Sequence, residues 1–342
     1  MPPGKPEKYK SIALEIEKMI AIRKLQNGTT LPSERRLAEL FGVTQLTVRR
    51  ALAELVKQDL VHKIPSRGNF IGAAPRQTTG LGLIAFIIPD HEIYFYNIFA
   101  ALEKDLSASD LHPVIHITNS NPTKEAELLQ YFDKAGYEAV IAVPNSKCAD
   151  VYKKLSIPVM FFDNKIDELD IPYVISDDFG GAYGLTEYLI SMGHQRIAHI
   201  GGGDDITAQQ RLAGWKAAML DHDIMVDESL VMLNSYSRDW GYYAAREILN
   251  DNPPTALFCG NDTLAAGAMR YLHEYNITCS VTGFGDTEIA GDLDLTSVNQ
   301  AQDLIAANIA RILSRLLRHE KPLRIENIIN AKTVIRNSVD KI

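Results

Sequence analysis

Three polar side chains near the start of a short amphipathic segment have the chemistry needed to read DNA bases. Gln45, Thr47 and Arg49 fall within five residues of one another. Gln pairs bidentately with adenine and Arg with guanine, while a hydroxyl contacts bases or phosphates. Arg35 and Arg36 lie in the preceding segment, where a cation gains from neutralising phosphates. These residue types predict contact with a duplex if the chain places them on one surface.

A helix-turn-helix would provide that surface. Ser33 is a typical N-cap for a helix that Gly42 ends, and Thr44 is a typical N-cap for the next helix. An amphipathic helix over about Lys8–Leu25, ended by Asn27-Gly28, precedes this pair. The N-terminus of such a recognition helix points into the major groove. Its buried face is predicted to be Val48, Leu52, Leu55 and Val56.

Two short strands are predicted after the recognition helix. Residues 60–64 and 69–71 are apolar and extended in character, and Pro65-Ser66-Arg67-Gly68 forms the turn between them. A β-hairpin of this kind is a wing, and Arg67 at its tip could enter the minor groove.

The whole N-terminal stretch resembles the winged-helix head of the GntR family. The resemblance is carried by Leu-Pro-Ser-Glu-Arg-x-Leu-Ala-x-x-Phe-Gly-Val-Thr-x-x-Thr-Val-Arg-x-Ala-Leu, starting at Leu31. It implies that Arg35, Thr44, Gln45, Thr47, Arg49 and the wing tip face DNA. Gln45-Leu46 and Pro65-Ser66 depart from the residues usual in the family, which suggests an altered operator sequence.

Composition divides the chain into a basic head and an acidic body. Residues 1–75 hold 13 Lys and Arg against 7 Asp and Glu, a balance of +6, and the remainder holds 22 against 36, a balance of −14. This asymmetry suits a nucleic-acid binder with a separate second module. With 342 residues we expect two or three folding units. No apolar run spans a bilayer and no secretory signal is visible, so we expect a cytoplasmic protein without a membrane partner.

The body alternates between strand and helix patterns. Residues 73–80 lack periodicity and are predicted to link the head, residues 1–72, to a domain over 81–342. About eleven strands alternate with helices, so we predict an α/β fold of two doubly wound parallel sheets. Such lobes leave a cleft at the carboxyl ends of their strands, where ligands bind.

The motifs of common enzymes are missing from the body. Gly201–Asp205 follows a strand but matches neither a dinucleotide fingerprint nor a phosphate-binding loop, and no Gly-x-Ser-x-Gly elbow occurs. His91, His194 and His199 form no metal pair at helical spacing. Three distant cysteines predict reduced thiols. We therefore expect no catalytic residue, no cofactor and no metal, and a protein that is not an enzyme.

The body resembles the effector domain of the LacI/GalR family, which shares its fold with periplasmic sugar-binding proteins. The resemblance rests on four stretches that occur in the same order as in the family: residues 183–202, Arg211–Trp215, Gly260–Ala268 and Gly283–Asp286. The resemblance covers about residues 81–338. It implies one lobe over about 81–175 and 302–327 and a second over about 176–298 and 328–338.

The resemblance also implies a set of ligand-binding residues at strand ends. These are Tyr94, Phe95, Asp163, Asn164, Arg211, Tyr236, Asn261, Asp286 and Gln300. Polar groups that pair donors with acceptors, together with flat aromatic faces, suit a sugar. Gly285-Asp286 stands where the family usually has two Asp, which leaves the contact of Asp286 and the identity of the sugar open.

A GntR-like head on a LacI-like body is the arrangement of arabinose-type regulators. The resemblance implies a transcription regulator, a repressor by the habit of the family, that binds double-stranded operator DNA as a homodimer. A small-molecule effector, L-arabinose first among pentoses, would change its operator affinity by closing the lobes. A nucleobase or nucleoside effector is the alternative ligand. A transport-type binding protein and a carbohydrate- or nucleotide-processing enzyme are the alternative functions.

Overall fold

The computed structural model describes residues 8–22, 29–58, 60–64, 68–72, 81–203, 205–250 and 252–342. The chain forms two compact units. Unit 1 comprises residues 1–89, 99–160 and 307–324, and unit 2 comprises residues 90–98, 161–306 and 325–342. The predicted linker at 73–80, Arg67 at the wing tip and the helix stop at Asn27-Gly28 lie outside the described residues. The lobe boundaries at 175 and 302 stay predictions.

The head, which lies in unit 1, is a winged helix-turn-helix. Its elements are α1 (Lys8–Ile22), α2 (Glu34–Phe41), α3 (Gln45–Lys57), β1 (Val61–Ile64) and β2 (Gly68–Ile71). Ser33 Oγ accepts from the Arg36 amide at 3.2 Å, and Thr44 Oγ1 accepts from the Thr47 amide at 3.3 Å, so both predicted N-caps are confirmed. Gly42 ends α2 with φ +61°, a conformation that favours glycine.

Three helices and the wing enclose the core of the head. Val48, Leu52 and Leu55 are buried as predicted, but Val56 is 39% exposed. Val56 follows Leu55 by one residue, which is about 100° around a helix, so its side chain leaves the buried face. Ala51 takes the fourth buried position. The strands β1 and β2 pair antiparallel, Val61 opposite Ile71, which confirms the hairpin.

Unit 1 also contains parallel strands of the body. Strand β3 (Leu83–Ile88) lies between β4 (His112–Ile117) and β5 (Ala139–Ala142) and is parallel to both. The central strand is buried along nearly its whole length, as expected where both faces of a parallel sheet are covered. The neighbouring helices are α4 (Ile93–Ser107), α5 (Pro122–Phe132), α6 (Ala149–Tyr152) and α12 (Gln302–Leu317).

Unit 2 is built around a four-stranded parallel sheet of order β11-β10-β8-β9. Its strands are β8 (Ile197–Gly201), β9 (Val231–Leu233), β10 (Ala256–Cys259) and β11 (Ser280–Thr282). The helices are α7 (Asp178–Ser191), α8 (Ile206–Asp221), α9 (Arg238–Ile248), α10 (Asp262–Tyr275) and α11 (Glu288–Asp292).

Alternate residues of these strands enter two separate cores. Ile197 and Phe258 pack in one hydrophobic cluster with residues of α7 and α8. Ala198 and Leu257 pack in another with residues of α9 and α10. Because side chains alternate across a strand, this division means that helices cover both faces of the sheet. The predicted doubly wound α/β fold is therefore confirmed in this unit.

Five further strands lie in the described residues. In unit 2, β7 (Tyr173–Ser176) pairs in parallel with the end of β6 (Val159–Phe162) and with β13 (Glu326–Ile329). Strands β12 (Ser297–Asn299) and β14 (Lys332–Val334) pair antiparallel. Within the described parts of the chain, no helix combines the length and the apolarity that crossing a bilayer requires.

Candidate DNA interface and ligand site

The start of α3 and the preceding helix present the residues predicted to contact DNA. Gln45 and Arg49 are exposed on α3, and Thr47 is half-buried. The hydroxyls of Thr44 and Thr47 lie 2.9 Å apart, so one donates to the other. Arg35 and Arg36 are also exposed and both pair with Glu39, at 3.3 and 3.2 Å. Exposed pairs of this kind contribute little to stability, so these guanidiniums can exchange Glu39 for phosphates.

Glu34 was not anticipated, and it connects the helix-turn-helix to the wing. Its Oε2 accepts from Arg49 Nε at 3.1 Å and from Arg49 Nη2 at 3.0 Å, and its Oε1 lies 3.4 Å from Lys63 Nζ. Burial opposes ionisation of this carboxyl, but Arg49 and Lys63 outweigh that effect and lower the pKa of Glu34. Glu34 therefore orients Arg49, which otherwise has many rotamers.

Unit 2 contains a second cluster of candidate functional residues, which lies at the carboxyl ends of its strands and in the segments that follow them. Asp163 follows β6, Asn261 follows β10, and Asp205 follows β8 by four residues. The segment Asp90–Ile98 brings Glu92 and Tyr94 into the same unit. Ligands bind at this edge in open α/β sheets because loops from several strands converge there.

Arg211 and Asp178 form the buried centre of this cluster. Arg211 Nε and Nη2 each lie 2.8 Å from Asp178 Oδ1, and both side chains are 7% exposed. Arg211 Nη1 donates to the Gly260 carbonyl at 2.6 Å, and the guanidinium lies 4.0 Å above the Phe284 ring. Burial raises the pKa of Asp178 even though Arg211 opposes the change. The pair is costly to break, since removing either partner leaves a buried charge.

A second polar contact joins residues that are 169 positions apart in the chain. Asn261 Nδ2 donates to Glu92 Oε1 at 2.6 Å, while Asn261 Oδ1 accepts from the Leu264 amide and caps α10. The Glu92 amide donates to Asp90 Oδ1 at 2.9 Å. Asn261 is only 5% exposed, and in the described structure the nitrogen and the oxygen of its side-chain amide are both hydrogen-bonded.

Aromatic rings border the polar groups. Tyr94 and Phe95 are 6% and 5% exposed, and Phe95 packs edge-on against Phe162 with centroids 6.1 Å apart. The Tyr236 ring covers Gly202, where a Cβ would come within 2.3 Å of the ring, so a side chain at 202 would displace it. Tyr236 also donates to Asp205 Oδ1 at 3.4 Å.

Asp163 and Gln300 complete the cluster. Asp163 has φ +62°, a left-handed conformation uncommon outside glycine that turns the chain at the end of β6. Gln300 is 2% exposed, and its Nε2 donates to Asp178 Oδ1 at 3.5 Å. Asn164, next to Asp163, accepts from the Lys165 amide at 2.7 Å through its side chain.

Asp286 lies in a different set of contacts. Its Oδ1 accepts from Arg336 Nη2 at 2.6 Å, and its Oδ2 accepts from Asn299 Nδ2 at 2.8 Å. Both oxygens are thus used in tying β12 to the segment after β14. The structure does not bring this carboxyl to Arg211, so its contact with a ligand stays a prediction.

Four acidic members of the cluster were not anticipated from the sequence: Asp90, Glu92, Asp178 and Asp205. Their shared signal is position, since each lies within a few residues of a strand end or at a helix start. Burial, and then the charge of Asp90, raise the pKa of Glu92 to about 8. Burial, and then Asp178, raise the pKa of Asp163 to about 7. Buried carboxyls with perturbed pKa values in a cleft mark a functional-site candidate.

The described residues contain no group of three or more His, Cys, Asp or Glu side chains arranged to hold a metal ion. His199, one of the histidines considered above, is buried in β8 between Trp215 and Phe258, at centroid distances of 5.6 and 5.0 Å. Burial lowers its pKa to about 3, so it is a neutral residue of the core.

A winged helix-turn-helix head and an α/β body with a polar site at its strand ends define a regulatory protein with a DNA-binding module and a ligand-binding module. The chain belongs to the family of periplasmic binding proteins and sugar binding domains of the LacI family, whose model matches residues 82–316. Residues 8–71 match the model of bacterial regulatory proteins of the gntR family. Both resemblances drawn from the sequence are thus confirmed.

Known proteins match this chain over most of its length. The arabinose metabolism transcriptional repressor of Geobacillus stearothermophilus is 26% identical over 98% of this chain and 98% of its own. Among solved structures, the regulator CcpA of Lactococcus lactis superposes with a TM-score of 0.70 at 23% identity, over 76% of this chain and 100% of its own. A LacI family regulator of Enterococcus faecium with bound ribose gives a TM-score of 0.68 at 24% identity, over 76% and 99%.

Proposed function

We propose that this chain is a transcriptional repressor that binds operator DNA as a homodimer and whose operator affinity is changed by a sugar, L-arabinose first among pentoses. The observation that carries the proposal is the cluster of Glu92, Asn261, Asp178, Arg211 and the two tyrosines in unit 2. The cluster places hydrogen-bonding groups of both kinds beside aromatic rings.

The chemistry of this cluster matches that of a sugar. Carboxylates such as those of Glu92 and Asp163 accept from hydroxyl groups, while Arg211 retains two N–H groups beyond the three used in its internal contacts. The rings of Tyr94 and Tyr236 suit the C–H faces of a pyranose or furanose. A site that hydrogen-bonds the hydroxyls of its ligand strongly rejects analogues without them.

The relatives support the same ligand class. The full-length relative from Geobacillus stearothermophilus is an arabinose metabolism repressor, and the Enterococcus faecium regulator was solved with ribose. The sugars in both names are pentoses. This similarity supports L-arabinose as the first ligand to test, ahead of hexoses and nucleosides.

A thermal-shift screen of the full chain tests the ligand. A native-state ligand stabilises by mass action, so we expect a concentration-dependent rise in Tm with L-arabinose and a smaller rise or none with nucleosides. A flat response to every sugar would remove the sugar proposal, and a response to nucleosides alone would favour the alternative ligand.

The variant Asn261→Asp should abolish the rise in Tm. Asp keeps an N-cap for α10 but removes the amide donor and places a carboxylate against Glu92. Asn337→Asp is the matched control, because Asn337 Nδ2 also donates to a carboxylate, Asp294, at 2.6 Å on an exposed surface. Equal responses of the two variants would place the sugar elsewhere.

A gel-shift assay tests the DNA module. A duplex selected by the chain from a random pool should bind with sequence preference and salt sensitivity, and sugar should change that affinity. Sedimentation of the complex should give two chains for each operator. A single chain on the operator would contradict the homodimer.

A further inference from the structure

The ligand site contains many more acidic groups than basic ones. Its carboxyls are those of Asp90, Glu92, Asp163, Asp178 and Asp205, and its guanidinium is that of Arg211. Each buried carboxyl experiences the charge of one or more of the others. The carboxyl groups of the site come from four separate segments of the chain.

The charge of Arg211 is already neutralised inside the protein. Two of its nitrogens contact Asp178 Oδ1 at 2.8 Å, and a third donates to the Gly260 carbonyl. Within the described residues, neither Glu92 nor Asp163 has an ion pair with Lys or Arg. An incoming anion would therefore meet carboxyl groups without a compensating free cation.

The Tyr94 hydroxyl lies beside the same carboxyls. Tyr94 is 6% exposed, and its hydroxyl interacts with the carboxyl of Asp163. The charges of Asp163 and Asp178 both act on this hydroxyl and raise its pKa after the larger effect of burial. The aromatic border of the site is therefore in contact with its acidic groups.

Resting on the proposed sugar function, we propose that this site accepts uncharged sugars and excludes anionic ones, with Glu92 and Asp163 as the residues that set this selectivity. A neutral pentose donates hydrogen bonds from its hydroxyl groups to the two carboxyls. Above about pH 8, where both carboxyls are ionised, a sugar acid or a sugar phosphate would place a negative charge among like charges in a partly buried site, where repulsion is stronger than in open water.

Thermal-shift and calorimetric titrations of the full chain test this selectivity. The probes are L-arabinose, D-ribose and D-xylose, their aldonic acids, and D-ribose 5-phosphate, all at one ionic strength and at about pH 9, where the pKa values of about 8 for Glu92 and about 7 for Asp163 leave both carboxyls ionised. We expect the neutral sugar that binds best to bind at least about tenfold more tightly than its acid. If an acid or phosphate bound as tightly as the neutral sugar, the charge selectivity would be overturned while the sugar function stood. If no sugar of either kind bound, both proposals would fail.

The variants Glu92→Gln and Asp163→Asn assign the selectivity to residues. Each removes one carboxyl that is negatively charged at about pH 9 and keeps the shape and an acceptor oxygen, so the affinity ratio of neutral to anionic sugar should fall about tenfold at that pH. Glu187→Gln is the control, because Glu187 lies on α7 and pairs at the surface with His222 at 3.5 Å. The ratio is the readout because a general weakening of the site affects both ligands alike. An unchanged ratio in both site variants would overturn the assignment to Glu92 and Asp163.

Discussion

At the scale of single residues, the head contains a carboxylate, that of Glu34, whose proposed role is to position an arginine rather than to contact a DNA base. Glu34 holds the Arg49 guanidinium through two nitrogens and also approaches Lys63 on β1. A fixed guanidinium loses less side-chain entropy on binding than a free one. Glu34 is thus a positioning residue for Arg49, and Arg49 is the residue whose loss should be most visible in DNA binding.

Arg49→Ala should weaken binding to the selected operator by about 1–3 kcal/mol, the range for a lost base contact, and relax preference at one base pair. A gel-shift titration against the operator and its single-base variants measures both effects. Lys18→Ala is the control, since Lys18 is exposed on α1 and pairs only locally with Glu15. Equal affinities of wild type and Arg49→Ala would remove Arg49 from the interface.

Glu92 should make the stability of the body depend on pH. Its folded-state pKa of about 8 lies above the ordinary value near 4, so the folded state binds more protons than the unfolded state between these values. Stability contributed by Glu92 is therefore complete below about pH 4 and is lost as the pH rises through 8. Glu92→Gln should flatten the fall in unfolding free energy between pH 5 and 9, by at most about 1.4 kcal/mol per pH unit.

Denaturant unfolding at several pH values measures that slope. Asp163, with a pKa of about 7, contributes in the same direction, so some slope should remain in Glu92→Gln. Glu187→Gln should follow the wild type. A wild-type slope that Glu92→Gln fails to reduce would show that Glu92 is ionised in the folded protein.

The aromatic, amide and arginine members of the site could be named from the sequence, whereas most of its acids could not. Tyr94, Arg211 and Asn261 were indicated by the resemblance, and the structure brings them into one cluster with Glu92 and Asp178. Asp178 stands beside Asp177, the N-cap of α7, and a second acid at a helix start has an ordinary role there. Only the fold shows that Asp178 faces Arg211, 33 residues away.

At the scale of elements, the helices of unit 2 approach one another at glycines. A Cβ at Gly267 of α10 would lie 2.0 Å from the Arg238 carbonyl, and one at Gly241 of α9 would lie 2.1 Å from the Leu264 carbonyl. Both obstacles are backbone atoms, which cannot rotate away as a side chain can. Helices α9 and α10 therefore pack closely only because each presents a glycine to the other.

Gly267→Ala should destabilise the chain by about 1–3 kcal/mol, the typical cost of overpacking. Gly184→Ala is the matched control, because Gly184 lies inside α7 and a Cβ there would have no neighbour within 4 Å. Alanine at 184 should stabilise by about 0.5–1 kcal/mol through its helix propensity. Chemical denaturation measures both changes, and the same sign for the two variants would contradict the packing argument.

Long periodic elements followed from the sequence, but short ones did not. The amphipathic pattern that starts at about Lys8 predicted the first helix, and α1 begins at that residue. The sequence pattern gave no warning of β12 and β14, which have three residues each and are defined by pairing across 37 positions, Ser297 opposite Val334. A three-residue segment carries too little periodicity to be distinguished from a loop, so its partner alone makes it a strand.

At the scale of the whole molecule, basic and acidic residues are unevenly distributed between the head and the body. The balance of +6 in residues 1–75 favours a phosphate backbone, while the balance of −14 elsewhere keeps the body away from it. The candidate ligand site also has more carboxyls than guanidiniums, so the proposed selectivity against anions acts in the same direction. We therefore expect polyanionic DNA to bind at the head rather than at the body.

The two ligands must affect each other equally if the proposed regulation is correct. Linkage requires that a sugar which changes operator affinity by some factor has its own affinity changed by operator DNA by the same factor. We expect a factor of about 5–150, the usual range of allosteric coupling. Fluorescence anisotropy of labelled operator with and without saturating sugar gives one value. Calorimetric titration of sugar into the free chain and into its operator complex gives the other.

Asn261→Asp distinguishes coupling from a nonspecific effect of sugar on the assay. This variant should retain the operator affinity of the free wild type, because Asn261 lies in unit 2 and the head in unit 1, and should show no response to sugar. If sugar changed the affinity for operator while operator left the affinity for sugar unchanged, the two binding events would not be thermodynamically linked. The sugar would then act by some route other than a difference in its affinity for the free and DNA-bound chain.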